Sequence, residues 1–304
     1  MTGAAIPPGA DAVVRSEDSR REGNKVKILA RAAAGLNIRR AGESVRRGET
    51  VLGRGKVIRP QEIGLLAALG IRAVKVVPGP RVALISTGNE LKPLGGTLAP
   101  GMIFDCNRHS LSALVVKYGG VPVPLGIVPD REKAIREALL KARDCDLVLT
   151  SGGVSVGEFD LVKKALKDSG GKIAVWRIAM KPGKPLTFGS IAGRPFFGLP
   201  GNPVSAIVSF LLFVRPALLA LQEKESGGLP EEKATLEEDF SELSDRTQYV
   251  RSVAVRRGGR LYARPTGPQG SGILKSLVLA NALLIVPPGR RLKKGARVRA
   301  LLLD

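Results

Sequence analysis

A chain of 304 residues that is 44% hydrophobic can bury real cores in roughly two or three domains, which excludes a disordered tail. Its formal charge of +21 invites anionic ligands, but the excess is spread through the chain and aromatics are only 4%, which argues against a nucleic-acid stacking surface. The two cysteines, Cys106 and Cys145, make neither a disulfide framework nor a metal quartet. No apolar run is read as approaching the ~20 residues of a bilayer span, so a cytoplasmic protein without membrane contact is expected.

Residues 1–79 are rich in Gly and Pro. Strand composition falls at 26–29 and 74–77. Residues 60–69 have helical spacing, with Gln61 and Glu62 in the first turn and Gly70 as the stop. A β-rich domain is expected here.

Residues 80–222 alternate between buried-type strands and amphipathic helices. Strands are expected at 82–86, 121–127, 146–150, 173–178 and 195–199. Helices are expected at 108–118, 131–143 (capped by Asp130), 161–169 and 203–221. This predicts an α/β fold class: a three-layer central domain with a mostly parallel sheet, whose ligands sit at the carboxyl ends of the strands. A Gly-Gly-Leu-Pro linker at 227–230 opens the last segment, 223–304. Its alternating runs at 248–256, 260–265, 282–286 and 298–303 predict a small C-terminal β-barrel.

Four loops of the central domain carry candidate chemistry. The first is STGNE at 86–90, where Thr87 and Gly88 suit a close phosphate or hydroxyl contact and Glu90 a metal or amine; a helix N-cap is the ordinary alternative. The second holds Asp105, Asn107 and Arg108, again with the composition of a cap. Asp130, at the next strand end, is a cap by itself and a supporting carboxylate in this company.

The third loop continues an apolar strand into TSGGVSVGEFD at 150–160. Ser151, Gly152, Gly153 and Ser155 offer donors to phosphate, and Glu158 and Asp160 offer hard oxygens to Mg²⁺ or another divalent cation. The fourth combines Arg177, Lys181 and Lys184 with the rigid turn Pro200, Gly201, Asn202, Pro203, which opens directly into a helix. No nucleophilic triad is evident. His109 reads as a surface or cap residue, and Cys106 and Cys145 as small buried fillers.

Together these loops resemble the molybdopterin molybdenumtransferases, the family of MoeA and of the E domains of gephyrin and plant Cnx1. The matching text is STGNEL at 86–91, FDCNR at 104–108, TSGGVSVGEFD at 150–160, MKPGKP at 180–185 and GLPGNPVSA at 198–206. TGAAIPPGADAVV at 2–14, RRAGE at 39–43 and QGSGILKSLVLAN at 269–281 match as well. The resemblance implies insertion of molybdate, or tungstate, into adenylylated molybdopterin, with a divalent cation promoting release of AMP. It implies roles for Thr2, Glu90, Asp130, Asp160, Arg177, Lys181, Pro200 and Pro203, with Arg177 standing in place of a lysine. It also implies a homodimer and a partner adenylyltransferase of the MogA type. The family carries a further region ahead of TGAAIPPGADAVV, so residues 1–79 are expected to form an incomplete domain. A non-catalytic pterin-binding or scaffold module is the alternative reading.

Overall fold

The computed structural model describes residues 3–153, 161–224 and 227–303. The chain divides into two compact units, Met1–Val74 and Lys75–Asp304.

In the first unit, strands β1 (Ser19–Glu22) and β2 (Lys25–Ile28) form an antiparallel hairpin, with Gly23 supplying its positive φ of 62°. Helix α1 (Pro60–Ala68) starts on a proline that needs no backbone donor. Its first turn is locked by Glu62, which accepts from the Arg59 backbone at 2.9 Å and side chain at 2.7 Å. The Arg59 side chain holds the Glu62 carboxyl down at about 2. The strand expected at 74–77 does not form: Val74, Val76 and Val77 are exposed and pair with no neighbouring strand. β-Branched composition without a sheet edge to join leaves only extended chain.

The second unit starts with β3 (Arg81–Thr87), followed by the short parallel pair β4 (Leu91–Lys92) and β5 (Ile103–Phe104). Then come α2 (Cys106–Lys117), β6 (Val121–Val128), α3 (Glu132–Lys141), β7 (Leu147–Ser151) and α4 (Leu161–Asp168). Strands β8 (Lys172–Trp176), β9 (Met180–Lys181), β10 (Thr187–Ile191) and β11 (Arg194–Leu199) lead into α5 (Pro203–Ser209) and α6 (Arg215–Leu221).

The central sheet has the order β6-β3-β7-β11-β10-β8. Its first four strands are parallel, β10 runs antiparallel to both its neighbours, and β8 points the same way as the first four, so the sheet is mixed. Alternate residues of each strand face opposite layers. Val82, Leu84, Leu147 and Leu149 pack with α2 and α5, whereas Ala83, Ile85 and Val148 pack with α3 and α4. This is the three-layer α/β fold the alternation predicted.

Two sequence expectations are corrected here. Pro203–Leu221 is 19 residues long with a mean hydropathy of 2.2, which does meet the length and apolarity of a membrane span. Half of that stretch is buried within the protein, with Val204, Val208, Phe210, Val214 and Leu218 fully enclosed, so it is a core helix here. Between α5 and α6 it widens into a π turn, Phe210–Val214. Pro216 follows at the start of α6 and cannot donate back into the ladder, which accounts for the irregular turn. The second correction concerns Asp130. It does not cap α3, whose N-cap position is Arg131 with no side-chain bond.

Beyond the linker, β12 (Glu231–Leu236), β13 (Thr247–Arg257), β14 (Arg260–Pro265), α7 (Leu274–Val278), β15 (Ala282–Val286) and β16 (Arg297–Leu302) complete the chain. Strands run in the order β14-β12-β16-β15-β13, and β13 pairs with β14, which closes a five-stranded barrel. Inward-facing Ala234, Leu236, Val250, Ala254, Leu261 and Leu284 fill it. Strand β9 adds to this barrel in parallel with β13, pairing Lys181 with Gln248. The central layer and the barrel therefore share a wall.

Candidate functional site

The carboxyl ends of β3, β6, β7 and β11 form a continuous glycine-lined floor. Gly152 follows β7 with φ +89°, and its backbone N–H donates to Leu199 at 3.1 Å. A Cβ on Gly152 would lie 2.3 Å from the Thr87 carbonyl, and one on Gly153 would lie 2.7 Å from Thr87 Oγ1. Only glycine allows loops this close. Asn107, buried at the start of α2, ties three of them together: its Nδ2 donates to Ser151 Oγ and to the Gly201 carbonyl, both at 2.7 Å. Asp105 caps α2, accepting from the Arg108 backbone at 3.1 Å. Thr87 Oγ1 lies buried beneath the glycines with no hydrogen-bond partner among the described residues.

Two carboxylates stand at the β3 and β6 edge of this floor. Glu90 folds over Gly88, where a Cβ would sit 2.8 Å from either carboxylate oxygen. No helix follows, so STGNE is not a cap; it turns into β4. The Asp130 backbone donates to Asn89 Oδ1 at 3.1 Å, which brings Asp130 beside that turn. Burial pushes the Asp130 carboxyl up, a hydrogen bond with the Asn89 backbone pulls it down, and Glu90 pushes it up again. A carboxyl whose charge is disfavoured beside a second acid suits a cation nearby.

At Pro200, Gly201 and Asn202 the floor meets a cavity of about 330 Å³. The cavity is lined from the central layer by Lys181, Gly183, Lys184, Pro200, Asn202 and Ser205, and from the barrel by Glu242, Arg246, Gln269 and Ser271. Gly183, at φ +112°, packs where a Cβ would meet Ser209 Oγ at 2.8 Å and Met180 at 2.9 Å, which keeps the Lys181 to Lys184 turn flush with α5. Lys181 pairs with Glu242.

The barrel wall of the cavity is held from behind by Arg251, which is 1% exposed. Its Nε donates to Ser276 and its Nη2 to the Gly270 carbonyl, both at 3.1 Å. Gln269 bonds both the backbone N–H and the carbonyl of Arg251. Burial lowers the Arg251 pKa to about 10, against the opposing pull of the Glu242 charge.

Of the residues singled out from sequence, Thr87, Gly88, Glu90, Asp130, Ser151, Gly152 and Gly153 meet at the floor. Lys181, Lys184, Pro200 and Asn202 meet at the cavity, with Gly201 where an added Cβ would lie 3.6 Å from the Gly152 Cα, and Pro203 starting α5. Thr2, Ser155, Glu158 and Asp160 lie outside the described residues. Arg177 does not line the cavity. It adopts φ +67° and stacks its guanidinium 3.9 Å from the centre of the Trp176 ring, beside a separate groove bordered by Lys163, Lys167 and Lys172. Cys106 is exposed rather than buried, because it occupies the outward side of the first α2 turn. Its thiol is pushed up by desolvation and by Asp105, so it is no activated nucleophile. Among the described residues no group of three metal-ligating side chains converges.

Sequence reasoning missed Glu242, Arg246, Ser205 and Arg251. Ser205 stood inside the matching GLPGNPVSA text, but the other three fall on barrel segments outside the matching 269–281 stretch, with no local motif of their own.

Comparison with known families extends over most of the chain. The profile of the MoeA N-terminal region (domain I and II) matches residues 1–70, that of a probable molybdopterin binding domain residues 83–220, and that of the MoeA C-terminal region (domain IV) residues 233–303. The molybdopterin molybdenumtransferase of Haemophilus influenzae is 37% identical over 294 residues, 95% of this chain and 72% of that protein. The molybdopterin molybdenumtransferase of Bacillus subtilis is 35% identical over 312 residues, 100% of this chain and 72% of that protein. The solved structure of the molybdopterin biosynthesis MoeA protein from Pyrococcus horikosii is similar with a TM-score of 0.81 at 33% identity, covering 99% of this chain and 74% of that one.

Proposed function

We propose that this chain, which belongs to the molybdopterin molybdenumtransferase family, inserts molybdate or tungstate into adenylylated molybdopterin and releases AMP. It is a transferase of molybdenum cofactor biosynthesis. The observation that carries the finer reading is the cationic cavity joined to a glycine floor. A tetrahedral oxyanion presents four acceptor oxygens and no donor. Lys184 and Arg246 supply charged donors, and Ser205 and Ser271 supply hydroxyls, around one space of about 330 Å³. The floor beside it admits the phosphates of an adenylylated pterin, because Gly152 and Gly153 present no side chain.

Glu90 and Asp130 fit a divalent cation of the Mg²⁺ type, since both offer hard oxygens and Glu90 raises the cost of charging Asp130. When bound, such a cation supplies Lewis-acid polarisation of a phosphate oxygen. The residues of the chain do the rest. Asn107 holds the floor loops at fixed spacing, the glycines allow close approach, and the lysines and Arg246 orient the oxyanion toward the dithiolene.

The same reading includes a homodimer, an adenylyltransferase partner of the MogA type that delivers the substrate, and a cytoplasmic setting. Exposed Val26, Ile28, Leu29, Val57 and Ile63 in the first unit support an apolar partner surface there. The scaffold alternative is set aside, since relatives that cover nearly the whole chain are named as transferases.

The test is a reconstitution with purified protein, molybdate and adenylylated molybdopterin. Lys181→Ala is expected to reduce molybdenum insertion by about a hundredfold, the scale of losing one preorganised electrostatic contact. Asp130→Asn is expected to reduce it by ten- to a hundredfold, on the order of a lost positioning or cation contact. It should leave the melting temperature unchanged or raised, because the wild-type carboxylate is held above its ordinary pKa and its charge is disfavoured by folding. Insertion at wild-type rates in both variants would refute the assignment.

A further inference from the structure

The cavity contains one acidic side chain, and nothing in the reaction requires it. Its charged lining is Lys181, Lys184, Arg246 and Glu242. We propose that Glu242 sets the charge selectivity of the cavity: by holding Lys181 it leaves a net charge of +2, which matches one doubly charged tetrahedral oxyanion and disfavours more highly charged phosphates. This rests on the oxyanion reading above.

Three observations carry the proposal. First, the pair is built into the fold. Lys181 lies on β9, whose pairing with β13 sets it opposite Gln248. The Gln248 side chain, on a residue only 3% exposed, donates to the Glu242 carbonyl at 2.9 Å. One buried glutamine thus registers both ends of the ion pair. Second, the other acid nearby is not part of the lining. Asp245 binds Arg246 Nε at 3.2 Å, but its side chain is 85% exposed and does not line the cavity. Glu242 is therefore the one carboxylate, among the described residues, that an anion in the cavity meets. Third, the pair is accessible, with Lys181 32% and Glu242 41% exposed, so an entering anion can compete for the ammonium without opening the core.

The chemistry follows from charge matching. A dianion neutralises the cavity with Glu242 in place. A pyrophosphate or nucleotide polyphosphate brings a third or fourth charge, which then faces the carboxylate at short range, where each like charge is repelled. An enzyme that handles a phosphoanhydride substrate next door gains from an oxyanion space that phosphates do not occupy.

The experiment is calorimetric titration of molybdate, and separately of inorganic pyrophosphate, into the wild-type chain and Glu242→Gln. Glutamine keeps the size and the partly exposed setting, so the variant should fold. The expected result is pyrophosphate binding tightened by about tenfold and molybdate by about threefold or less, since the released interaction scales with ligand charge. Equal effects on the two anions, no tightening, or weaker binding of both would overturn the proposal. Lys184→Ala and Arg246→Ala separate this from the reading beneath it. Molybdate binding that is lost in both, with pyrophosphate binding indifferent to Glu242→Gln, overturns only the role of Glu242. Molybdate binding that survives both overturns the cavity assignment and this proposal with it.

Discussion

Gly152→Ala is expected to abolish molybdenum insertion and to destabilise the chain by several kcal/mol. Two independent costs fall on the same atom. The residue has φ +89°, a conformation that non-glycine residues reach at a cost on the order of 1 kcal/mol or more. Its new Cβ would also sit 2.3 Å from the Thr87 carbonyl and 3.1 Å from Thr87 Oγ1. That neighbour is backbone of a fully buried central strand and cannot turn aside. Relief requires separating the β3 and β7 loops, which would pull Gly152 off the Leu199 carbonyl and disturb the Asn107 bonds to Ser151 and Gly201. Thermal unfolding and insertion assays measure both losses. As an internal comparison, Gly95→Ala, in a turn where nothing approaches within 4 Å, meets only the positive-φ cost and should retain activity.

Arg251→Ala should have the next largest effect, on stability first and on the site through it. The guanidinium is enclosed and spends its donors on Ser276 and the Gly270 carbonyl. Removing it leaves a void and strips the buried Ser276 hydroxyl of its donor, together worth about 3–5 kcal/mol. The two Gln269 bonds go to the Arg251 backbone and survive the truncation, so what the cavity wall loses is the guanidinium's hold on Gly270, beside Ser271. Arg251→Lys keeps the charge but not the fork of donors, and should recover stability only in part. A wall defect shows as a raised KM for molybdate at conditions where the variant remains folded. An unchanged KM would assign Arg251 to the barrel alone.

The parts of this molecule legible in its sequence are those whose signal is local. Apolar runs ending in Thr-Gly, Ser-Gly-Gly and Leu-Pro-Gly-Asn-Pro identify parallel strands that deliver loops to one edge, and β3, β7 and β11 do so. Strand β10 escaped because a glycine at position 189 interrupts its pattern, where the Lys172 carbonyl approaches within 2.0 Å of a would-be Cβ. Asp130 before a helical run looked like a cap, but its place is fixed instead by the distant Asn89. Arg251 falls on the outward register of an alternating strand, between the inward Val250 and Ser252, and reads as solvated until the 266–276 loop folds over it. The cavity itself was half visible. Lys181, Lys184, Pro200 and Asn202 lie near one another in sequence, whereas Glu242 and Arg246 reach them only because β9 crosses to the barrel. No local pattern encodes that crossing.

We propose that the cavity shared by the central layer and the barrel holds the oxyanion that reacts with the adenylylated pterin on the glycine floor. The most direct test is AMP released and molybdenum incorporated per protein, with molybdate varied, for the wild-type chain and for Arg246→Ala. In the wild type, molybdate-dependent incorporation accompanied by one AMP per cofactor is expected. In the variant, the expected molybdate requirement is raised by about ten- to a hundredfold, the scale of a lost charge-assisted contact. An Arg246→Ala protein that incorporates molybdenum with the wild-type dependence on molybdate would contradict the proposal.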